Sequence, residues 1–336
     1  MPTVSVRDVA ALAGVSVGTV SNVLNRPEKV ADDTVGRVQL AIEKLGFVRN
    51  DAARQLRAGH SRAIGLVILD VGNPFFTDLA RGAEDKASES GYSIILGNSD
   101  EKAERESAYL DLFEEQRVRG VLISPFGDIE PRLRRLRDRG IRAVLVDRTS
   151  PDTSFSSVSV DDVAGGLMAV EHLIETGRRR IAFVGGPFEI RQVADRLDGA
   201  RQAVAQHQGV SLEVIPVSAL TVVEGRLAGE IIVARPPEER PDALFAANDL
   251  IATGLLQALF MRNTVRVPDE IALIGYDDID FASAAVVPFS SIRQPSALIG
   301  ATALQVLLEE ANDPELKPRQ VVYQPELVVR ASTHPA

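Results

Sequence analysis

The chain contains no cysteine. That excludes disulfides, thiolate catalysis and cysteine-ligated zinc. Its four histidines, His60, His172, His207 and His334, are scattered without ligand spacing, so no metal is expected. No run of about eighteen apolar residues occurs, so a membrane span is not expected. The first residues, Met1-Pro2-Thr3-Val4-Ser5, lack the apolar core of a signal peptide, which points to the cytoplasm. Neither a Walker phosphate loop nor a G-x-G-x-x-G fingerprint is found. No base, nucleophile or phosphate loop supports catalysis, and no cofactor is expected.

What is present is an average globular composition. With 336 residues, 45% hydrophobic and 25% charged, the chain is long enough for two or three domains with real cores. The net charge of −10 is unevenly spread: residues 1–60 hold eight Lys/Arg against six acids, a net of +2, leaving −12 for residues 61–336. Such a division suits a head that approaches phosphate and a body that phosphate repels.

The head carries the sharpest local signal. Val6, Val9, Ala10 and Ala13 recur on one face of a short helix, Gly14 supplies a turn, and Ser16 is placed to cap a second helix. The second helix turns Val20, Val23 and Leu24 inward. Val17, Gly18, Ser21, Asn22 and Asn25 stay on its other side, a face of small and hydrogen-bonding side chains. Two short helices about a glycine turn, the second with such a face, describe a helix-turn-helix whose second helix enters a DNA major groove. A third helix follows, with Asp32 or Asp33 as its cap, Val35, Val38, Ile42 and Leu45 as its apolar face and Gly46 at its end; Phe47 is placed to plug the base of the bundle. The stretch Gly14-Val15-Ser16-Val17-Gly18 also matches the hydrolase pattern G-x-S-x-G. That elbow requires a strand before the serine, whereas a helix is expected here.

Beyond the junction at Gly59-His60-Ser61-Arg62, β-branched runs alternate with amphipathic stretches. Ile64–Leu69, Ser93–Gly97, Gly120–Ser124 and Ala143–Asp147 read as buried strands, with helices near 76–90, 103–117 and 129–139. A second block has strands at Arg180–Val184, Glu213–Val217, Ala243–Ala246 and Ile271–Tyr276, with helices near 162–176, 191–207, 223–234 and 249–261. This alternation predicts an α/β body of two parallel-sheet subdomains, with the chemistry at the carboxyl ends of the strands, facing a cleft.

These residues resemble the lactose-repressor (LacI/GalR) family of bacterial transcription regulators over essentially the whole chain. The head matches through Asp8-Val9-Ala10, Ala13-Gly14-Val15-Ser16, Thr19-Val20-Ser21 and Val23-Leu24-Asn25, and the linker through Asn50 and Ala52-Ala53-Arg54-Gln55-Leu56. The body matches through Asn73-Pro74-Phe75-Phe76, Gly186-Pro187 with Arg196, Ala247-Asn248-Asp249, Ile274-Gly275-Tyr276-Asp277-Asp278 and Gln294-Pro295. The resemblance implies a helix-turn-helix head at 1–49, a hinge helix and linker at 50–61, and a ligand-binding and dimerisation core at 62–336 with the periplasmic-binding-protein-like fold. In that core, one subdomain takes about 62–161 and 291–324, the other about 162–290 and 325–336, with crossings near Asp161, Ser290 and Gln324.

A homodimer on palindromic operator DNA is implied, the more so because the chain lacks the lactose repressor's leucine-rich tetramerisation tail. The hinge enters the minor groove through Asn50, Ala53 and Leu56, with Leu56 wedged at a base step. On the recognition helix, Val17 and Gly18 cannot hydrogen-bond a base through their side chains, although Val17 can touch a thymine methyl. Asn22 is therefore the expected base reader, and Ser5, Ser16, Thr19, Ser21, Asn25 and Thr34 the expected phosphate ligands. In the body, Asp147, Arg196, Asn248 and Asp277 are expected to bind a small-molecule effector; two carboxylates, a guanidinium and an amide suit the vicinal hydroxyls of a sugar. Of Phe75 and Phe76, one is expected in the core and the other against a sugar ring. Purine-binding relatives carry a second arginine six residues before the position of Arg196, where this chain has Ile190, with Arg191 one place off. The leading expectation is a repressor responsive to a small carbohydrate. Its rivals are a purine-type corepressor, a phosphorylated carrier protein as co-regulator and, against the evidence of the head, a sugar-transport protein.

Overall fold

The computed structural model describes residues 4–47, 61–150, 154–261 and 265–334. The chain divides into two units, Met1–His60 and Ser61–Ala336.

In the first unit, α1 (Val6–Ala13) opens where the N–H and hydroxyl of Ser5 both donate to the Asp8 carboxylate. Gly14 closes it in the left-handed region at φ 66°, which glycine adopts without steric cost. Ser16 then caps α2 (Val17–Asn25), its hydroxyl accepting the Thr19 N–H at 3.0 Å. The third helix, α3 (Asp32–Leu45), departs from expectation at its start: Ala31 is the cap residue, without a side-chain bond. Asp32 and Asp33 lie inside the first turn, where their charge complements the helix dipole instead. Val9, Ala10, Ala13, Val20, Val23, Val38, Ala41 and Phe47 form the core.

The second unit holds two six-stranded sheets. The first is ordered β11-β5-β4-β3-β1-β2 and is parallel throughout. Its strands are β1 (Ala63–Ile68), β2 (Ser93–Asn98), β3 (Gly120–Ile123), β4 (Arg142–Val146), β5 (Ser156–Val160) and β11 (Gln320–Tyr323). Its helices are α4 (Pro74–Glu89), α5 (Ala103–Glu115), α6 (Glu130–Asp138) and α12 (Ser296–Asn312). The second sheet runs β12-β10-β9-β8-β6-β7, parallel except for β12. It comprises β6 (Arg180–Gly185), β7 (Ser211–Pro216), β8 (Ala243–Ala246), β9 (Ala272–Asp277), β10 (Ser290–Arg293) and β12 (Glu326–Val328). Around it lie α7 (Asp162–Glu175), α8 (Arg191–Ala205), α9 (Val222–Ala234), α10 (Asp249–Met261) and the short α11 (Asp280–Ala284).

The chain passes between the sheets three times: after β5 at Asp161, after β10 at Gln294-Pro295, and between β11 and β12 at Gln324. The second of these lies beyond the expected Ser290. Residues 290–293 pair with β9 in register Ile292–Tyr276 and Arg293–Asp277, so 291–293 belong to the second sheet. Strand pairing, invisible to local pattern, decides the boundary. The elements β5, β10, α12, β11 and β12 were not among those read from sequence.

Helices pack closely where side chains are small. At Gly166 of α7 an added Cβ would lie 2.0 Å from the Arg196 carbonyl oxygen, so only glycine lets α7 reach α8 at that point. That approach fixes the helix turn bearing Arg196.

Candidate ligand cleft and nucleic-acid interface

The carboxyl ends of the two sheets face each other across a cleft. Asp147, immediately after β4, stands on one side at φ 58° and is buried. Asp277 ends β9 on the other side at φ 105°, also buried. Both are the non-glycine, positive-φ positions in which strained functional residues recur.

Arg196, on α8, is the hub. Its Nε donates to Asp162 Oδ1 at 2.8 Å, one terminal nitrogen donates to the Ala247 carbonyl at 2.8 Å, and the other lies 3.9 Å from Asp277 Oδ1. The guanidinium also sits 3.7 Å from the centre of the Tyr276 ring, within reach of a cation–π attraction. Burial opposes its charge, but Asp162, Tyr276, Asp277 and Asp147 hold its pKa above the usual arginine value.

The carboxyl groups are perturbed the other way. Burial, reinforced by the charge of Asp162, pushes Asp147 well above the ordinary carboxylate range, against the pull of Arg196 and Gln192. Burial raises Asp277 too, opposed by Arg196, Gln294 and Asn73. Asp162 is raised to about 6, again by burial, with Arg196 lowering it. Three buried carboxyls around one guanidinium leave the cleft rich in acceptors.

Two bridges cross the cleft. Gln192 Nε2 donates to Asp147 Oδ2 at 2.8 Å, and Asn73 Nδ2 donates to Asp277 Oδ2 at 3.3 Å; Gln294, from the crossing, donates to Asp277 Oδ1 at 2.7 Å. Asp147 Oδ1, Gln192 Oε1 and Gln294 Oε1 are buried without a hydrogen-bond donor among the described residues. Acceptors in that state call for donors from water or from a bound molecule.

The structure thus brings Phe75, Phe76, Asp147, Arg196, Asn248 and Asp277 to one cleft. Phe75 and Phe76 do not divide into core and cleft: both are buried, 3% and 5% exposed, both line the cleft, and their rings meet edge to face at 5.0 Å. Asn248 is largely engaged in the fold, its Oδ1 accepting the Ile251 N–H and its Nδ2 donating to the Leu220 carbonyl. Ile190 lines the cleft, whereas Arg191 is 61% exposed and pairs with Asp195 at 2.8 Å. Sequence reasoning missed Asn73, Gln192, Gln294 and Asp162. Asn73 and Gln294 stood within quoted motifs and could have been found; Gln192 and Asp162 had no signal beyond their neighbours.

On the head, Ser5, Ser16, Val17, Gly18, Asn22 and Asn25 are exposed, and Thr19, Ser21 and Thr34 half-buried. Among the described residues Asn22 makes no side-chain hydrogen bond, while Asn25 Nδ2 donates back to the Ser21 carbonyl at 2.7 Å. The Ser16 and Thr19 hydroxyls pair at 2.9 Å. A helix, not a strand, precedes Ser16, so the hydrolase elbow is absent. Asn50, Ala53 and Leu56, with the hinge, lie outside the described residues.

The head matches the family "Bacterial regulatory proteins, lacI family" over residues 5–50, and the body matches "Periplasmic binding protein-like domain" over 170–333. The HTH-type transcriptional repressor PurR of Vibrio parahaemolyticus is 33% identical, covering 97% of each chain. The chain belongs to the LacI family. As a LacI-family member it is a helix-turn-helix DNA-binding transcriptional repressor with a ligand-binding core, and not an enzyme. It is also 35% identical to the ribose operon repressor of Bacillus subtilis, over 90% of each chain. A solved lac repressor dimer, bound to operator and the anti-inducer ONPF, superposes with a TM-score of 0.85 at 25% identity, over 98% of this chain and 99% of that one. No helix among the described residues is long and apolar enough to cross a membrane.

Proposed function

We propose that this LacI-family repressor binds palindromic operator DNA as a homodimer and that a small neutral sugar in the cleft sets its operator affinity. The observation that carries the sugar reading is the donor–acceptor balance. Buried Asp147 and Asp277, with acceptors lacking donors on Asp147 and Gln192, line one cleft with a single guanidinium already paired to Asp162. Hydroxyl groups both donate and accept, so they satisfy these acceptors and pair with a carboxyl in either protonation state. The similarity to a ribose operon repressor points the same way. A purine-type effector is disfavoured by Ile190, apolar and buried where the resemblance puts an arginine in purine-binding relatives.

A dimer is supported by apolar side chains on the surface. The edge strand β2 exposes Ile95 and Leu96, and α9 carries Val223, Leu227 and Ile231 outward at four-residue spacing, one face of a helix. On DNA, Asn22 is the base reader and the exposed hydroxyls of the head are phosphate ligands. The sugar acts by its differential affinity for two cleft closures, worth about 1–3 kcal/mol in coupling.

Thermal unfolding of the purified protein tests the sugar reading, using pentoses, hexoses, disaccharides, sugar phosphates and purines in turn. A monosaccharide is expected to raise Tm, with about 2.7 kcal/mol of stabilisation at a hundredfold excess over Kd. A shift produced only by purines or sugar phosphates would refute it.

A further inference from the structure

Two adjacent carboxylates at the end of β9 serve different ends. Asp277 lines the cleft; Asp278 does not, yet its side chain is only 5% exposed. Both occupy positive φ, 105° and 55°, two successive non-glycine residues in backbone conformations that need support from their surroundings. Such a turn persists only where its surroundings over-determine it.

The surroundings do so through Asp278. Arg293 Nε donates to Asp278 Oδ2 at 2.8 Å, and an Arg330 terminal nitrogen lies 2.6 Å from Oδ1. The Asp278 N–H donates to the Ser291 hydroxyl, which in turn donates to Asp249 Oδ1. Asp249 Oδ2 accepts the next N–H, that of Ile279, at 2.9 Å. These restraints on Asp278 and the N–H that follows it come from β10, from the start of α10 and from the segment after β12.

The origin of the two arginines is what matters. Arg293 is the last residue of β10, directly before the crossing at Gln294-Pro295. Arg330 lies two residues past β12, the strand entered after the crossing at Gln324, and its N–H is held by the Ser290 hydroxyl. Two of the three chain crossings therefore end, within a few residues, on one carboxylate adjoining the cleft.

We infer that Asp278 is a positioning residue for the effector response, tying the Asp277 turn through Arg293 and Arg330 to the strands that flank two of the three crossings. A ligand that reorients Asp277 then moves the crossings with it, because a charge-assisted hydrogen bond from Arg293 and an ion pair with Arg330 hold both to one turn. The inference rests on the cleft being the effector site, as proposed above.

Hydrogen exchange on the full-length protein tests the tie without any ligand. Asp278→Asn and Arg330→Ala are expected to quicken exchange about tenfold together at 277–279, 290–295 and 326–330, with β7 unchanged and Arg330→Lys restoring protection. Quickening confined to 277–279, or spread equally to β7, would overturn the inference. D-ribose serves as the second probe. It should bind Asp278→Asn with a calorimetric Kd within about threefold of wild type, yet no longer protect 290–295 and 326–330. Undiminished protection there would also overturn it. If D-ribose leaves the wild type unmoved, the sugar reading loses its first candidate, and the ligand-free exchange still decides the role of Asp278.

Discussion

The head and the cleft solve recognition in opposite ways. The head keeps its small hydrogen-bonding groups on an exposed helix face, and the side chains it buries among the described residues are apolar, Val9, Val20, Val38 and Phe47 among them. The cleft buries charge: Asp147, Asp162, Asp277 and Arg196 are all at least nine-tenths covered. A surface reader loses little when one polar group is removed, because water replaces it. A buried charge cluster has no such substitute, so its members depend on one another.

The largest expected effect comes from breaking that dependence. Arg196→Ala leaves Asp162, Asp147 and Asp277 without their shared cation. It should cost the core about 3–5 kcal/mol in urea denaturation and abolish any sugar-induced Tm shift. A variant of wild-type stability that still responds to sugar would mean the cleft is no more coupled than the head.

A smaller effect sharpens the contrast within the core. Glu106 of α5 is buried, accepts the Phe126 N–H at 2.8 Å, and is raised by burial from 4.5 to about 7. A carboxyl raised on folding contributes stability that is complete below pH 4.5 and is lost as pH rises through about 7. Wild type should therefore lose more stability between pH 5 and pH 8 than Glu106→Gln, as followed by circular dichroism. Equal losses would show that Glu106 is solvated like a group on the head.

The smallest effect belongs to the head. Ser16→Ala removes the cap of α2 and should cost about 1 kcal/mol of head stability, with a matching modest loss of operator affinity in a gel-shift titration. A collapse of all operator binding would contradict the view that the head tolerates loss of single polar groups.

How much was legible in advance follows the same division. The turn at Gly14 and the Ser16 cap were readable because their partners lie within a few residues; the Ser16–Thr19 bond spans three positions. The α12 helix carries a helical apolar period in Ile299, Ala303, Leu304 and Leu307, so its signal was present though unread. The true cap of α3 and the boundary at β10 were not legible, since one depends on a single residue's backbone angles and the other on which strand pairs with which. In the cleft, the motif positions named from sequence line one pocket, but the polar partners that set their charge were missed.

By itself the sequence determined the three-helix head, its exposed small-residue face and the alternation of strands and helices, because hydrophobic period and capping act over a few residues. Only the tertiary structure decided which acceptors are left without donors and which carboxyls share Arg196. Those facts rest on pairs such as Gln192 with Asp147, 45 positions apart, and Asn73 with Asp277, 204 apart. Burial and charge pairing are properties of the folded neighbourhood, and a residue's neighbours in space are set by the sheets, not by its place in the chain.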